Sequence, residues 1–472
     1  MKIPNSISDI SKKRVLVAGF SIRSGVGSIR MLYSLGCDII VWDEKNEKDL
    51  QESVMALKEE KYILFAGEKS KDFFNALKSV DLVVLSPGVS TSHPLILQAK
   101  KQNIPVISEV ELAWLFYPVC KWVCITGTDG KTTTTSILGK LYESYGINVL
   151  TAGNIGISLC DALVSYKQKE NMPDVIVAEL SSYQLETIHS LKPHIAIVLN
   201  ITPDHLDRYS SMDEYASAKA RIWMNQKNDD FLIINSEDIY INKMIKRFPP
   251  QSYIVKFSSK RILKEGLFLF FGRFVFKKDR EKIFFGKISN LLLKGRHNFE
   301  NMLAAGGAAI LDDIPAQSVE NTLKNFRGLE HRIENIGSFR GRLFVNDSKA
   351  TTLNSVRMAL LSFNKSVILL MGGRSKGHDF SLLKDIIKNK VKLLVLFGEA
   401  GPEIQKMVSY KRSILVNDMY SAVKEAWKNS RKGDVILLSP GCTSFDQFKN
   451  FEERGKAFKD IINELIMKGD LS

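Results

Sequence analysis

The chain has 472 residues, 44% of them hydrophobic and 25% charged. That is the composition of a soluble globular protein with room for roughly three domains of about 100–200 residues, and it excludes a disordered, collagen-like or disulfide-stapled chain. Sixty-six Lys and Arg against 52 Asp and Glu give a formal charge of +14; this favours anionic partners without choosing among nucleic acids, membranes and phosphorylated small molecules.

Five scattered cysteines, Cys37, Cys120, Cys124, Cys160 and Cys442, make no disulfide framework and suit a reducing compartment. Cys120 and Cys124 have no second pair or nearby histidine to complete a zinc site, so they read as strand packing. The first residues lack the apolar stretch of a signal peptide. No apolar run approaches the roughly 18–20 residues needed to cross a bilayer. A cytoplasmic protein is expected.

In chain order, short β-rich runs alternate with helical patterns. The first strand, residues 14–19, leads into Gly19-Phe-Ser-Ile-Arg-Ser-Gly-Val-Gly27, then a helix, a second strand over 39–42, and Asp43-Glu44. A Gly-rich turn followed some twenty residues on by an acid points to a nucleotide site, although the spacing is not Gly-x-Gly-x-x-Gly. A further strand over 81–86 and a boundary near Pro118 follow.

Next, a strand over 122–127 runs into Gly127-Thr-Asp-Gly-Lys-Thr-Thr133 and a helix to about Tyr145. This is the shortened Gly-x-x-Gly-Lys-Thr form of a phosphate loop. Its glycines let amides wrap a phosphate at a helix N-terminus, Lys131 would reach the terminal phosphates, and the Thr132 hydroxyl would ligate magnesium. Strands over 174–180 and 195–200 carry Glu179 and then Asp204-His205 beyond their carboxyl ends, the side on which open α/β sheets bind ligands. Ser211 and Glu214 form a capping box that starts a helix. By pattern alone, Lys219 on that helix is a solvated lysine.

Residues 257–288 are Phe-rich and punctuated by Gly and Lys, as in small antiparallel strands appended to the middle domain. A second boundary near Gly328 precedes a fresh βα series with strands over 343–346, 366–371, 392–398 and 434–439. The strands are mostly continuous apolar blocks, as in parallel sheets buried on both faces. The fold class is therefore α/β, in three domains over 1–118, 119–328 and 329–472.

The motifs of the middle and C-terminal regions resemble the Mur ligase superfamily, ATP-dependent amide-forming enzymes of cell-wall precursor and folate metabolism. The resemblance rests on the phosphate loop, Gly153-Asn-Ile-Gly156, Glu179-Leu-Ser-Ser-Tyr-Gln-Leu-Glu186, His297-Asn-Phe-Glu-Asn301, Gly328-Leu-Glu-His-Arg332 and Asn346-Asp-Ser-Lys-Ala-Thr351. Ser86-Pro-Gly-Val89, Gly372-Gly-Arg-Ser-Lys376 and the run from Ser439 to Gly455 are similar to the members that add D-glutamate. The resemblance implies a Rossmann-like domain for a UDP precursor, a central P-loop-type ATPase and a Rossmann-like amino-acid domain. ATP would phosphorylate the alanyl carboxylate of UDP-N-acetylmuramoyl-L-alanine, and the amine of D-glutamate would attack the acyl phosphate.

The same resemblance assigns residues. Gly127, Thr128, Gly130, Lys131, Thr132, Thr133, Asn298, Asn301, Arg332, Asp347 and Lys349 would serve ATP. Ile22, Arg23, Ser24, Asp43, Asn154, Ser181 and Gln184 would serve the UDP precursor. Thr351, Lys376, Ser444, Phe445 and Phe451 would form the D-glutamate pocket. Two magnesium ions would be held by Thr132, Glu179, His205 and a carbamylated Lys219; with Lys131, the last three are the expected catalytic groups. The implied partners are these small molecules, with no nucleic acid, no membrane and a monomeric chain.

Some readings stay open. Phe445, Phe448 and Phe451, spaced by three, also read as the buried stripe of a helix. The chain departs from the family in a longer N-terminal glycine turn, in Asp129 for the usual Asn, and in Thr352. Another Mur-type or folylpolyglutamate-type ligase is the alternative activity. A nicotinamide dehydrogenase would leave the phosphate-loop residues unexplained, and a nucleic-acid module would need its basic residues clustered with aromatics.

Overall fold

A computed structural model describes residues 3–22, 24–57, 59–204, 208–363, 366–375 and 377–467, without the side chains of Phe73, Phe74 and Asn354. Arg23, His205 and Lys376 lie outside the described residues. Three sheets follow one another along the chain.

The first sheet contains β1 (Arg14–Ala18), β2 (Asp38–Asp43), β3 (Ile63–Ala66), β4 (Leu82–Leu85) and β5 (Val106–Ser108), all parallel, in the order β3-β2-β1-β4-β5. The chain leaves β1 to one side and later returns to its other side at β4. The gap between the β1 and β4 ends is therefore a topological switch point, where open α/β sheets bind nucleotides.

The second sheet comprises β6 (Lys121–Thr126), β7 (Val149–Gly153), β8 (Val175–Glu179), β9 (Ile195–Val198), β10 (Phe231–Asn235), β11 (Tyr253–Ser258), β12 (Gly266–Phe270), β13 (Arg273–Lys278) and β14 (Glu281–Lys287). Its order is β14-β13-β12-β11-β10-β9-β6-β8-β7. Strands β6 to β12 run parallel, whereas β12, β13 and β14 form an antiparallel meander, in accord with the Phe-rich signal at 257–288. Strand β9, Ile-Ala-Ile-Val, is buried at every residue, because helices cover both faces. Each such Val or Ile contributes about 1.5–3 kcal/mol on burial.

The third sheet is built from β15 (Glu334–Phe339), β16 (Arg342–Asn346), β17 (Val367–Gly372), β18 (Val391–Phe397), β19 (Ser413–Leu415) and β20 (Val435–Gly441), ordered β15-β16-β20-β17-β18-β19. Only β15 is antiparallel to its neighbour.

The chain divides into two compact units, Met1–Phe326 and Arg327–Ser472. The first two sheets share a unit because one apolar core runs through both, including Val26, Leu112, Cys160 and Ile188. Polar contacts reinforce that seam. Arg30 donates to Asp161 (2.8 Å), and the buried Glu111 carboxylate accepts from the amides of His189, Ser190 and Leu191 and the Ser190 hydroxyl at 2.6–3.2 Å.

Two sequence expectations need correction. Cys124 is buried in β6, but Cys120 stands in the turn before it and is only half-buried. Phe445, Phe448 and Phe451 do not form a helical stripe. The last helix begins only at Phe451, because Asn450 caps it by accepting the Glu453 amide (2.7 Å); Phe445 and Phe448 precede it, and Phe445 is 61% exposed. Burial raises the pKa of all five thiols, so none is poised as a thiolate nucleophile.

Candidate active site

Strand β6 delivers Gly127, and the helix Lys131–Ser144 starts after Gly130. Gly130 has φ +82°, and a Cβ there would collide with the Asn301 side chain; no other residue fits this turn without strain. Asn200, just past β9, fixes the loop: its Oδ1 accepts the Thr128 amide (3.1 Å) and the Asp129 amide (2.8 Å), and its Nδ2 donates to the Asp129 carbonyl (3.1 Å). Lys131 folds over the loop and donates to the carbonyls of Gly127 (2.8 Å) and Thr128 (2.6 Å). Thr132 and Thr133 occupy the first helical turn, where unpaired amides and the helix dipole favour an anion. Asn298 and Asn301 are buried on the helix Arg296–Leu311.

Glu179 ends β8 beside this loop and is buried. Its Oε1 accepts from Asn154 Nδ2 (2.8 Å), while its Oε2 is buried with no hydrogen-bond partner among the described residues. A buried carboxylate oxygen left unmatched is costly, and this one fits an oxygen-seeking cation such as magnesium.

The expectation of a solvated Lys219 is overturned. The side chain is 1% exposed on the helix Met212–Ala220, flanked by the buried Ala218 and Ala220. These small neighbours bring the helix close to the loop. Lys219 Nζ donates to the Gly127 carbonyl (2.8 Å) and, at 3.5 Å, to Thr126 Oγ1, and lies 4.7 Å from the centre of the Tyr215 ring. Lys131 and Lys219 thus donate to one carbonyl. Burial first, and the Lys131 charge second, drive the Lys219 pKa well below its ordinary value, against the opposing pull of Asp204, Asp129 and Glu179. The capping box of this helix is half made: Ser211 Oγ accepts the Glu214 amide, but Glu214 turns to the amide and hydroxyl of Ser210.

Around β8, Ser181 and Gln184 bind each other in a reciprocal cap, with Gln184 Oε1 accepting from both the amide and hydroxyl of Ser181 (3.0 Å each). In the first sheet, Gly19 has φ +95° and no room for a Cβ, which would approach Ser86 Cβ to 2.8 Å. Asp43 braces that turn by accepting the amides of Phe20 (2.7 Å) and Lys45 (2.9 Å). Ser24 is buried against Ser21, and Ile22 is exposed.

In the C-terminal unit, the ends of β16, β20 and β17 lie side by side. They bring Asp347, Lys349 and Thr351 to the same edge as Ser444. Asp347 is buried, accepting from the Ile333 amide (3.1 Å) and the Ser439 hydroxyl (2.7 Å). Burial pushes its carboxyl up to about 7, against the lowering effects of those bonds and Arg332. Lys349 Nζ lies 5.6 Å from the Phe451 ring centre. Sequence reasoning did not single out Arg454, which is wholly buried and donates to the hydroxyl and carbonyl of Ser348 and the carbonyls of Cys442 and Thr443 at 2.8–3.1 Å. It also missed Asn200, whose only signal was its place at a strand end.

Three mainly parallel sheets, the middle one carrying a phosphate loop beside a buried carboxylate and a buried lysine, define a protein built to bind a nucleotide's phosphates. Domain-family comparisons agree along the chain. Residues 13–108 match the Mur ligase MurD-like N-terminal domain, 125–309 the Mur ligase middle domain, and 331–442 the Mur ligase glutamate ligase domain. The chain belongs to the Mur ligase family. It is 39% identical over 463 residues to the UDP-N-acetylmuramoylalanine–D-glutamate ligase of Caldanaerobacter subterraneus, covering 97% of this chain and 99% of that one. It is 37% identical over 457 residues to the enzyme of the same name from Koribacter versatilis, covering 97% and 98%. The solved UDP-N-acetylmuramate–alanine ligase of Thermotoga maritima shares the fold, with a TM-score of 0.52 at 18% identity over 96% of this chain and 99% of that one.

Proposed function

We propose that the chain is an ATP-dependent ligase that joins D-glutamate to UDP-N-acetylmuramoyl-L-alanine, giving ADP and phosphate, in peptidoglycan precursor synthesis. The observation that carries the mechanism is Lys219, a buried amine beside a phosphate loop with its proton affinity lowered by burial and Lys131. Such an amine gives up its proton more readily than an exposed lysine, and in its neutral form it is nucleophilic toward carbon dioxide. Its nitrogen forms a bond to the carbon and releases a proton to solvent, leaving a carbamate in place of a cation.

The donor set of Thr132, Glu179, His205 and the Lys219 carbamate would hold two magnesium ions. When bound, magnesium supplies neutralisation between the polyphosphate and the carboxylate it must meet. Gly127, Thr128, Gly130, Thr132 and Thr133 cradle the phosphates through the loop and first helical turn. Lys131 swings from its own loop carbonyls to the terminal phosphate. Asn298 and Asn301, and within the C-terminal unit Arg332, Asp347 and Lys349, would be the further groups that serve ATP. Glu179 also orients Asn154, which with Ser181 and Gln184 faces the precursor. Ile22, Arg23 and Ser24, on the turn braced by Asp43, receive its UDP end.

The alanyl carboxylate oxygen attacks the γ-phosphorus, and ADP leaves. The D-glutamate amine, held by Thr351, Lys376, Ser444, Phe445 and Phe451, then attacks the acyl carbon. The tetrahedral intermediate collapses to amide and phosphate. This chemistry needs alignment and charge neutralisation more than covalent help from the protein. Domains over 1–118, 119–328 and 329–472 would take the precursor, ATP and amino acid respectively, in a monomeric cytoplasmic enzyme. No helix among the described residues is long and apolar enough to cross a membrane.

The test is incorporation of labelled amino acid into the precursor with ATP and magnesium. D-Glutamate should be incorporated in preference to L-glutamate, L-alanine and diamino acids. Preference for a diamino acid or for L-glutamate would replace this reading with that of another ligase.

A further inference from the structure

Arg208, on the loop that follows β9, is not used by the mechanism above. Its Nη1 donates to the Pro87 carbonyl (2.7 Å), and its Nη2 to the Val89 carbonyl (3.3 Å) and to Glu186 Oε2 (2.9 Å). The guanidinium lies 4.0 Å from the centre of the Tyr183 ring. Arg208 and Glu186 are 13% and 11% exposed, so water competes little for these bonds. Glu186 is itself held by the Tyr209 hydroxyl (2.6 Å) and by Thr91 (3.3 Å).

Pro87 and Val89 belong to the loop after β4, at the switch point of the first sheet. That loop touches the Gly19 turn directly: Ser86 Oγ donates to the Gly19 carbonyl (2.7 Å), and Ser86 fills the space beside Gly19. On the other side, Tyr209 packs on Tyr215 with ring centres 5.3 Å apart, and the Tyr215 hydroxyl is 3.2 Å from Thr128 Oγ1. Arg208 therefore stands midway along an unbroken set of contacts from the first-sheet turn to the phosphate loop.

We propose that Arg208, with Glu186, is a positioning residue for the nucleotide precursor. It holds the Ser86–Val89 loop, and through it the Gly19 turn, at a fixed reach from the phosphate loop. The inference rests on the reading of the Gly19 turn as the precursor site. A planar fork is required because two carbonyls and a carboxylate are gripped in different directions while the same group stacks on a ring. A lysine ammonium keeps the charge but cannot make that set of contacts.

The test compares Arg208→Lys and Glu186→Gln with the unsubstituted protein in steady-state kinetics, varying each substrate in turn. The Michaelis constant for UDP-N-acetylmuramoyl-L-alanine should rise at least tenfold in Arg208→Lys and less in Glu186→Gln. Those for ATP and D-glutamate should stay within twofold, and the melting temperature should hold within a few degrees. Equal change for all three substrates marks a merely structural role and overturns the inference, as does an unchanged precursor constant in both variants. Should the unsubstituted protein not turn the precursor over at all, the ligase reading fails and this inference with it.

Discussion

Lys219 and Arg454 are both wholly buried basic side chains, yet their surroundings make them opposites. Arg454 spends its fork on four oxygens of Ser348, Cys442 and Thr443. Burial lowers its pKa only to about 10, so it remains charged at neutral pH and ties three stretches of chain together. Lys219 has one good acceptor, one distant one and a second lysine on the same carbonyl. Its charge is poorly compensated and its proton is held weakly. Burial alone does not mark a chemical group; what separates structural from reactive is how completely the charge is matched.

The comparison is most severely tested at Lys219. Lys219→Ala should lower turnover on the order of a hundred- to a thousandfold, the usual cost of one charge-stabilising group. Added short-chain carboxylate should restore part of it, with no loss of melting temperature. Full activity without that addition would remove Lys219 from the chemistry.

Arg454→Ala should behave in the opposite way. It strands three carbonyls and a hydroxyl, and urea denaturation should show a loss of about 3 kcal/mol. A variant as stable as the parent would show that these bonds contribute nothing.

Glu109 sharpens the comparison from the acidic side. It is buried at the seam between the first two sheets, its Oε1 accepting the Cys160 amide (2.7 Å) while its Oε2 has no hydrogen-bond partner among the described residues. Burial raises its pKa from 4.5 to about 7. The folded state therefore binds the proton more tightly than the unfolded one, so this group's contribution is complete below pH 4.5 and is lost as the pH rises through 7. Glu109→Gln removes that slope. The stability difference, variant minus parent, should grow by on the order of 2 kcal/mol between pH 5 and 8; a flat difference would contradict it. The smallest effect is expected at the surface. Arg374 pairs with Glu399 through two bonds of 2.9 and 3.0 Å but both side chains are exposed, and Arg374→Ala should leave the melting temperature unchanged.

Much of the architecture was legible because parallel strands buried on both faces must be apolar throughout, as in Leu-Val-Val-Leu of β4 and Ile-Ala-Ile-Val of β9. Strands β3, β5, β7, β10, β15 and β19 were not among those expected, and all but β10 lie at sheet edges. Of these, β15 is half-exposed and β19 only three residues long, so neither continuous hydrophobicity nor clean alternation announces them. The phosphate loop and Glu179 were readable from local order, since glycines, lysine and a strand-end acid keep their neighbours in sequence. Lys219 was not readable from its pattern. Which face of a helix meets the loop is decided by contacts with Gly127 and Thr126, about ninety residues away. Arg208 and Arg454 share part of that property: most of their partners are backbone carbonyls, which carry no side-chain signature.

ADP release measured with and without each partner tests the central claim most directly. Release should require UDP-N-acetylmuramoyl-L-alanine and be completed to steady turnover only by D-glutamate. Equal stimulation by L-glutamate, or steady release with neither partner present, would contradict the account.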